Sequence, residues 1–249
     1  MSRRVRCPLE GLAAGERVLP DSTSHYLTRV LRLAAGARLV LFEAARGLEA
    51  DAEVLRVHDA IATVRISPPR AAELAAALPI TWIHALSKGD KLDDVVRDAT
   101  ELGATRILVA ESERSVVHLD AERATARRAR WEKIAADAAR QSGRGDPPPV
   151  VGPLPWGEAL RSVPADTARF CLHTKDAPPL APALLAALAA GHALAFAAGP
   201  EGGLTDAEVL LAEEHGFTRA SLGPFVLRTE TVSAAVLGAC RVLAAASGD

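Results

Sequence analysis

Two short segments combine glycine with residues able to meet charge. The first, Ala198-Gly199-Pro200-Glu201-Gly202-Gly203-Leu204-Thr205, follows an apolar run and precedes a helical pattern that Thr205 or Asp206 would cap. Three glycines around a Pro-Glu pair permit a tight turn whose backbone can approach a ligand closely. In open α/β sheets such turns at the carboxyl ends of strands are where ligands bind. The segment lacks the Gly-Lys-Ser/Thr of a P-loop and does not read GxGxxG, so a nucleotide phosphate is not the ligand it indicates. The second segment is Leu222-Gly223-Pro224-Phe225-Val226-Leu227-Arg228-Thr229-Glu230-Thr231, also between an apolar run and a long helical pattern. Thr229 and Glu230 suit a helix N-terminus, where a hydroxyl can cap free amides and a carboxylate meets the positive end of the dipole. Arg228 does not suit it, because the same dipole disfavours a cation; its partner should be an anion or a polarised oxygen. Either segment alone would also serve as an ordinary strand-to-helix turn.

Both segments need a sheet to carry them. From residue 80 onward short apolar runs at 80–86, 106–110, 168–173, 193–198 and 220–222 alternate with helical patterns at 91–102, 121–141, 182–190, 206–215 and 231–246. This alternation predicts an α/β domain with a mostly parallel sheet and helices on both faces. Before residue 67 the chain instead alternates apolar and polar residues at 38–42, 50–55 and 61–66, which reads as strands of a small barrel or sandwich, with one helix at 25–33. Pro68-Pro69-Arg70 and the alanine-rich stretch to Pro79 read as a linker, since paired prolines continue neither a ladder nor a helix. The expected organisation is thus a small domain over 1–70, a linker over 71–79 and the α/β domain over 80–249. Gly145-Asp146-Pro147-Pro148-Pro149 reads as an exposed connection.

With 49% apolar and 24% charged residues, the 249-residue chain can form two packed cores, so disorder is not expected. No apolar run reaches the roughly 18 residues of a membrane span and the start lacks a secretory signal, which predicts a cytoplasmic protein. Cys7, Cys171 and Cys240 are too far apart for a zinc or redox pair and read as core residues; no metal is expected. A net charge of −2 argues against coating nucleic acid through bulk charge, but the arginines cluster at 3, 4 and 6, at 29 and 32, and at 123, 127, 128 and 130. Such clusters suit bidentate phosphate contact, though each also reads as a solvated face.

The two glycine segments together resemble the SPOUT class of methyltransferases, and within it the RsmE-like family that methylates N3 of a uridine in small-subunit (16S) ribosomal RNA. That family carries a GPEGG turn, here residues 199–203, and an LGxxxLRxET segment, here residues 222–231. The chain is also similar at His25-Tyr26-Leu27-Thr28-Arg29-Val30-Leu31-Arg32, at Lys88-Gly89-Asp90-Lys91, at Ala99-Thr100-Glu101-Leu102-Gly103, at Ser112-Glu113-Arg114-Ser115 and from Arg130 to Arg144. It departs at Phe225, where family members often have a basic residue, at Val232, commonly Ala or Thr, and in the loop Thr174-Lys175-Asp176.

The resemblance implies a PUA-like N-terminal domain and a catalytic domain with a deep trefoil knot that binds S-adenosylmethionine. The cofactor would be lined by Leu172 and His173, by Gly199, Pro200, Glu201, Gly202 and Gly203, and by Leu222, Gly223, Leu227 and Arg228. It further implies a homodimer formed through knot helices, including 231–246. For N3 methylation, Arg228 would stabilise the uracil anion, while Glu230 or Glu201 would accept the proton or orient Arg228. Thr100 and Glu101 are further candidates, equally readable as a helix surface pair. His25, Arg29, Arg32 and Arg114 are the expected RNA phosphate contacts. The alternatives are methylation of transfer RNA or of a ribose 2′-hydroxyl by the same fold, and a non-catalytic RNA-binding assembly factor.

Overall fold

The period-two runs of the first seventy residues form strands whose alternate side chains reach a common core. In the computed structural model, which describes residues 5–43, 46–72, 78–115 and 120–246, the chain divides into two units. One is Met1–Ala75 with Ala139–Pro147, the other Ala76–Ala138 with Pro148–Asp249. In the first unit β1 (Val5–Pro8) and β2 (Gly15–Val18) precede a short helix, α1 (Asp21–His25), that runs on into a π-helical turn at Tyr26–Val30. Next come β3 (Arg38–Glu43), β4 (Leu48–His58), β5 (Ile61–Ile66) and β6 (Arg70–Ala71). The sheet order is β1-β3-β4-β5-β2 with β6 on β4, and only β1 and β3 run parallel. Leu27, Leu39, Leu41, Val54 and Val64 are buried in one cluster with Cys7. Each such aliphatic side chain contributes about 1.5–3 kcal/mol when fully buried.

Two expectations fail in this unit. Ala71, placed at the start of the linker, pairs with Leu48 of β4, and Arg70 just before it with Glu49. The prolines at 68 and 69 permit this because the strand they introduce is only a two-residue edge. Ion pairing fixes it further: the fully buried Glu49 carboxylate meets Arg70 Nη2 at 2.9 Å and Arg6 Nη2 at 2.7 Å. Residues 73–77 of the expected linker lie outside the described residues. The supposedly exposed connection is also largely buried. Arg144, 6% exposed, folds back on the Asp146 carboxylate through two 3.0 Å hydrogen bonds. A Cβ on Gly145 would lie 2.9 Å from Ala72 Cβ and 3.8 Å from Phe42 Cβ, so this stretch covers the outer face of β3.

The second unit contains β7 (Ile80–Ala85), α2 (Lys91–Glu101), β8 (Arg106–Glu111), α3 (Ala121–Ser142), β9 (Val150–Pro155) and α4 (Trp156–Arg161). It continues with β10 (Ala168–Leu172), α5 (Leu180–Ala189), β11 (Leu194–Ala198), α6 (Asp206–Glu214), β12 (Thr218–Ala220) and α7 (Thr229–Ala246). The last turn of α3 falls in the first unit. All strand pairs are parallel, in the order β12-β10-β11-β7-β8-β9. Parallel strands buried on both faces send alternate side chains to two cores. Trp82, Ile107, Val109 and Phe196 pack with α2, α3, α5 and α7, whereas Ile83, Leu108, Ala110 and Ala197 pack with α4 and α6. A parallel sheet with helices on both faces, behind a small β domain, is the expected fold class. The three cysteines are buried, as their spacing suggested.

β9 and α4 had no clear sequence signal. Val150-Val151-Gly152-Pro153-Leu154-Pro155 reads as a non-strand because of its prolines, which an edge strand tolerates. Gly152, at φ +121°, runs so close to β8 that a Cβ would lie 2.3 Å from the Val109 carbonyl oxygen. Among the described residues no helix is long and apolar enough to cross a membrane.

Candidate active site

Strands β10, β11 and β12 are neighbours in the sheet, so the loops leaving Leu172, Ala198 and Ala220 emerge together at its carboxyl edge. They enclose a cavity of about 570 Å³, within the size range of cofactor sites. Leu172 and His173 form part of its wall, the turn Gly199, Pro200, Glu201, Gly202 and Gly203 another, and Leu222, Gly223, Leu227 and Arg228 a third. The structure thus brings together every residue that the resemblance assigns to the cofactor. Thr229, Val232, Lys91 and Arg114 line it too.

The 199–203 turn is held from inside and outside. Gly203, at φ +69°, donates its N–H to the Pro200 carbonyl at 2.8 Å. Gly199 has no room for a side chain: a Cβ would lie 2.9 Å from Leu204 Cγ, 3.0 Å from Leu204 N and 3.1 Å from the Gly203 carbonyl carbon. Thr205 then caps α6 in a capping box, with Glu208 Oε2 accepting the Thr205 N–H at 2.8 Å. Glu208 Oε1 also accepts the Glu113 N–H at 2.7 Å and so ties in the loop after β8. Two cations grip the turn from other elements. Lys91 Nζ stands 3.0 Å from Glu201 Oε1, and Arg114 Nη1 donates to the Gly202 carbonyl at 2.9 Å. Arg114, expected as an RNA phosphate contact, therefore commits one donor to the turn.

Burial raises the Glu201 carboxyl pKa, but its own backbone N–H, the Lys91 ammonium and the Lys88 N–H together hold it below the ordinary value. His173 is pushed below its usual value by burial and then by the Arg219 guanidinium. Arg228 is exposed on the cavity wall, with no carboxylate or hydrogen-bond partner for its guanidinium among the described residues. Its carbonyl accepts the N–H groups of Thr231 at 2.9 Å and Val232 at 3.1 Å, so it opens α7 where positive charge is disfavoured.

The other candidates are distributed differently. Glu230 lies in the first turn of α7 and does not line the cavity; its Oε2 is buried without a hydrogen-bond partner among the described residues. Thr100 is fully buried, with its hydroxyl donating to the Val96 carbonyl at 2.7 Å, and neither it nor Glu101 lines the cavity. His25, Arg29 and Arg32 are exposed in the first unit, on α1, the π turn and the residue pair after it, where Arg32 takes φ +54°.

Two residues escaped the sequence reading. Lys91, noted there only within the similar stretch 88–91, starts α2, so it repeats the conflict with the helix dipole that singled out Arg228, and that signal would have found it. His84 gave no signal. It is fully buried on β7 opposite Ala198, the residue before the turn, and its Nδ1 accepts the Trp82 indole N–H at 3.2 Å. Burial lowers its pKa from 6.5 to about 4, against a smaller opposing pull from Glu201. Between these values the unfolded chain binds a proton that the folded chain refuses, so stability should fall as pH drops from about 6.5 towards 4. Urea titrations across that range should show a shallower acid limb in His84→Gln than in the wild type; identical slopes would clear His84 of the effect.

Comparison with known proteins adds to this geometry. Residues 75–241 match the model of an RNA methyltransferase domain and residues 19–67 that of an RNA methyltransferase PUA domain. The chain is 31% identical, over 98% of its length and 78% of the relative's, to the ribosomal RNA small subunit methyltransferase E of Synechocystis sp.. To the protein of that name from Bacillus subtilis it is 32% identical, over 86% of this chain and 85% of the relative. The crystal structure of a ribosomal RNA small subunit methyltransferase E from Neisseria gonorrhoeae, bound to S-adenosyl methionine, superposes with a TM-score of 0.86 at 32% identity, covering 97% of this chain and 98% of that one.

Proposed function

Since the chain belongs to the ribosomal RNA small subunit methyltransferase E family of RNA methyltransferases, we propose that it transfers a methyl group from S-adenosylmethionine to N3 of a uridine in 16S ribosomal RNA. The observation that carries this reading is the meeting of both glycine segments on one cavity, with Arg228 in its wall and no partner for its guanidinium among the described residues. The cavity suits the cofactor: its walls mix backbone groups with aliphatic side chains, and Gly199 and Gly203 keep the turn free of bulk. Leu172, residues 199–203 and Leu222, Gly223 and Leu227 would hold it. When bound, S-adenosylmethionine supplies a methyl group on a cationic sulfur.

The chain's own task is to make N3 a nucleophile. Negative charge moves onto the uracil carbonyl oxygens as the N3 proton leaves, and the Arg228 guanidinium donates hydrogen bonds there. Of the two candidate carboxylates only Glu201 faces the cavity, so we assign it the proton. Its pairing with Lys91 weakens it as a base, which leaves most of the stabilisation to Arg228. Glu230 belongs to the start of α7, where its charge meets the positive end of the helix. His25, Arg29 and Arg32 hold phosphates of the RNA. A homodimer built through α7, acting on the small ribosomal subunit in the cytoplasm, completes the reading. The fully buried Val236, Leu237 and Cys240 pack α7 inward, while Val242, 69% exposed, supports an outward apolar contact.

Labelled S-adenosylmethionine incubated with small subunits, naked ribosomal RNA and transfer RNA, followed by primer extension, tests this. One strong stop at a labelled uridine of 16S RNA is expected, because N3 methylation blocks the pairing edge. Label in transfer RNA, or label without a stop, would replace the reading with a different SPOUT activity.

A further inference from the structure

Phe225 and Val226 are 80% and 83% exposed, among the most exposed large apolar side chains described, and both stand on the cavity wall. Among the described residues Phe225 is the only Phe, Tyr or Trp that lines it. Water-exposed apolar surface beside a binding cavity marks a contact surface, and this one shares a loop with Arg228, three residues further on. We propose that the Phe225 ring, with Val226 beside it, is the platform on which the target nucleobase stacks once it has left its RNA neighbours. The inference rests on the methyltransferase reading and deepens it.

The physical case begins with access. N3 lies on the pairing edge of uracil, and a base undergoing chemistry there is taken out of its stack. Extrusion forfeits the stacking of both faces, and proteins that accept single-stranded nucleotides restore it with an aromatic side chain. A phenyl ring serves because every base has a π face, whereas the guanidinium that reads the uracil oxygens cannot also cover that face in the same pose. A loop carrying both a ring and an arginine can hold the base by its face and its edge together.

Phe225→Leu keeps apolar bulk and removes the π face; Phe225→Tyr keeps the face. With the RNA substrate identified by primer extension, kcat/KM for RNA should fall about 10- to 100-fold in the Leu variant and return to within a fewfold of wild type in the Tyr variant. Wild-type kcat/KM in the Leu variant would overturn stacking. So would an equal loss of calorimetric S-adenosylmethionine affinity, which would make Phe225 a wall for the cofactor. So too would a weakened self-association by sedimentation, which would make it an interface with a second copy. If wild-type protein binds S-adenosylmethionine yet labels no RNA, the underlying methyltransferase reading fails first, and it fails independently of any Phe225 variant.

Discussion

Arg228→Lys is expected to lower turnover by about 10²-fold or more, the scale of a lost donor to a developing oxyanion. The substitution keeps the positive charge and removes the planar fork, so it separates geometry from electrostatics. The structure sharpens the expectation. Arg228 opens α7 and its guanidinium has no protein partner among the described residues, so nothing in the folded chain explains a cation there. Affinity for S-adenosylmethionine should change little, read by calorimetry. Single-turnover rates at saturating RNA are the deciding measurement. Near-normal turnover would reduce Arg228 to a general cation, and a raised KM for RNA at unchanged turnover would make it a phosphate contact.

Gly199→Ala should weaken S-adenosylmethionine binding by about 10- to 100-fold, the equivalent of the roughly 1–3 kcal/mol that overpacking costs. The added methyl would stand 3.0 Å from Leu204 N and 3.1 Å from the Gly203 carbonyl carbon, and neither is the end of a flexible side chain. The turn must open to admit it, and the turn is a wall of the cavity. Gly202→Ala is the internal comparison: its methyl would meet Arg114 Cβ at 3.3 Å, a contact that a few tenths of an ångström relieve. Its effect should be the smaller. Far-ultraviolet circular dichroism would show that both variants remain folded, and unchanged calorimetric affinity in Gly199→Ala would remove the turn from the binding site.

Features that depend on local pattern were legible in the sequence. The strands at 80–85, 106–111 and 194–198 are short apolar runs, α2 follows a helical pattern and α6 a Thr-Asp start, so their existence and approximate ends were legible. The cavity wall was legible because its glycines and Arg228 are anomalous for the elements that carry them. Features set by distant partners were not. Arg70 and Ala71 pair with β4 where the buried Glu49 meets two arginines, and the glycine-proline stretch near 145 lies against Phe42 and Ala72, partners far away in the sequence. β9 hides behind prolines that an edge position permits. Lys91 was visible by type, but its salt bridge to Glu201 joins residues 110 positions apart and could not be inferred from spacing. His84 is silent because a lone histidine in an apolar run reads as a strand residue.

The return of Ala139–Pro147 to the first unit bears on modularity. The α/β unit is interrupted by nine residues that belong to the other unit, so a single cut near residue 76 does not release it intact. A fragment beginning there would carry Arg144 and Gly145 without the Arg6, Phe42 and Ala72 surfaces that cover that stretch, and it would present buried groups to water. Exchange of the RNA-facing module between relatives therefore calls for two junctions, one near 75 and one spanning 139–147. Grafts made with only the first should be prone to proteolysis at the orphaned stretch, whereas grafts that transplant both pieces together should withstand it.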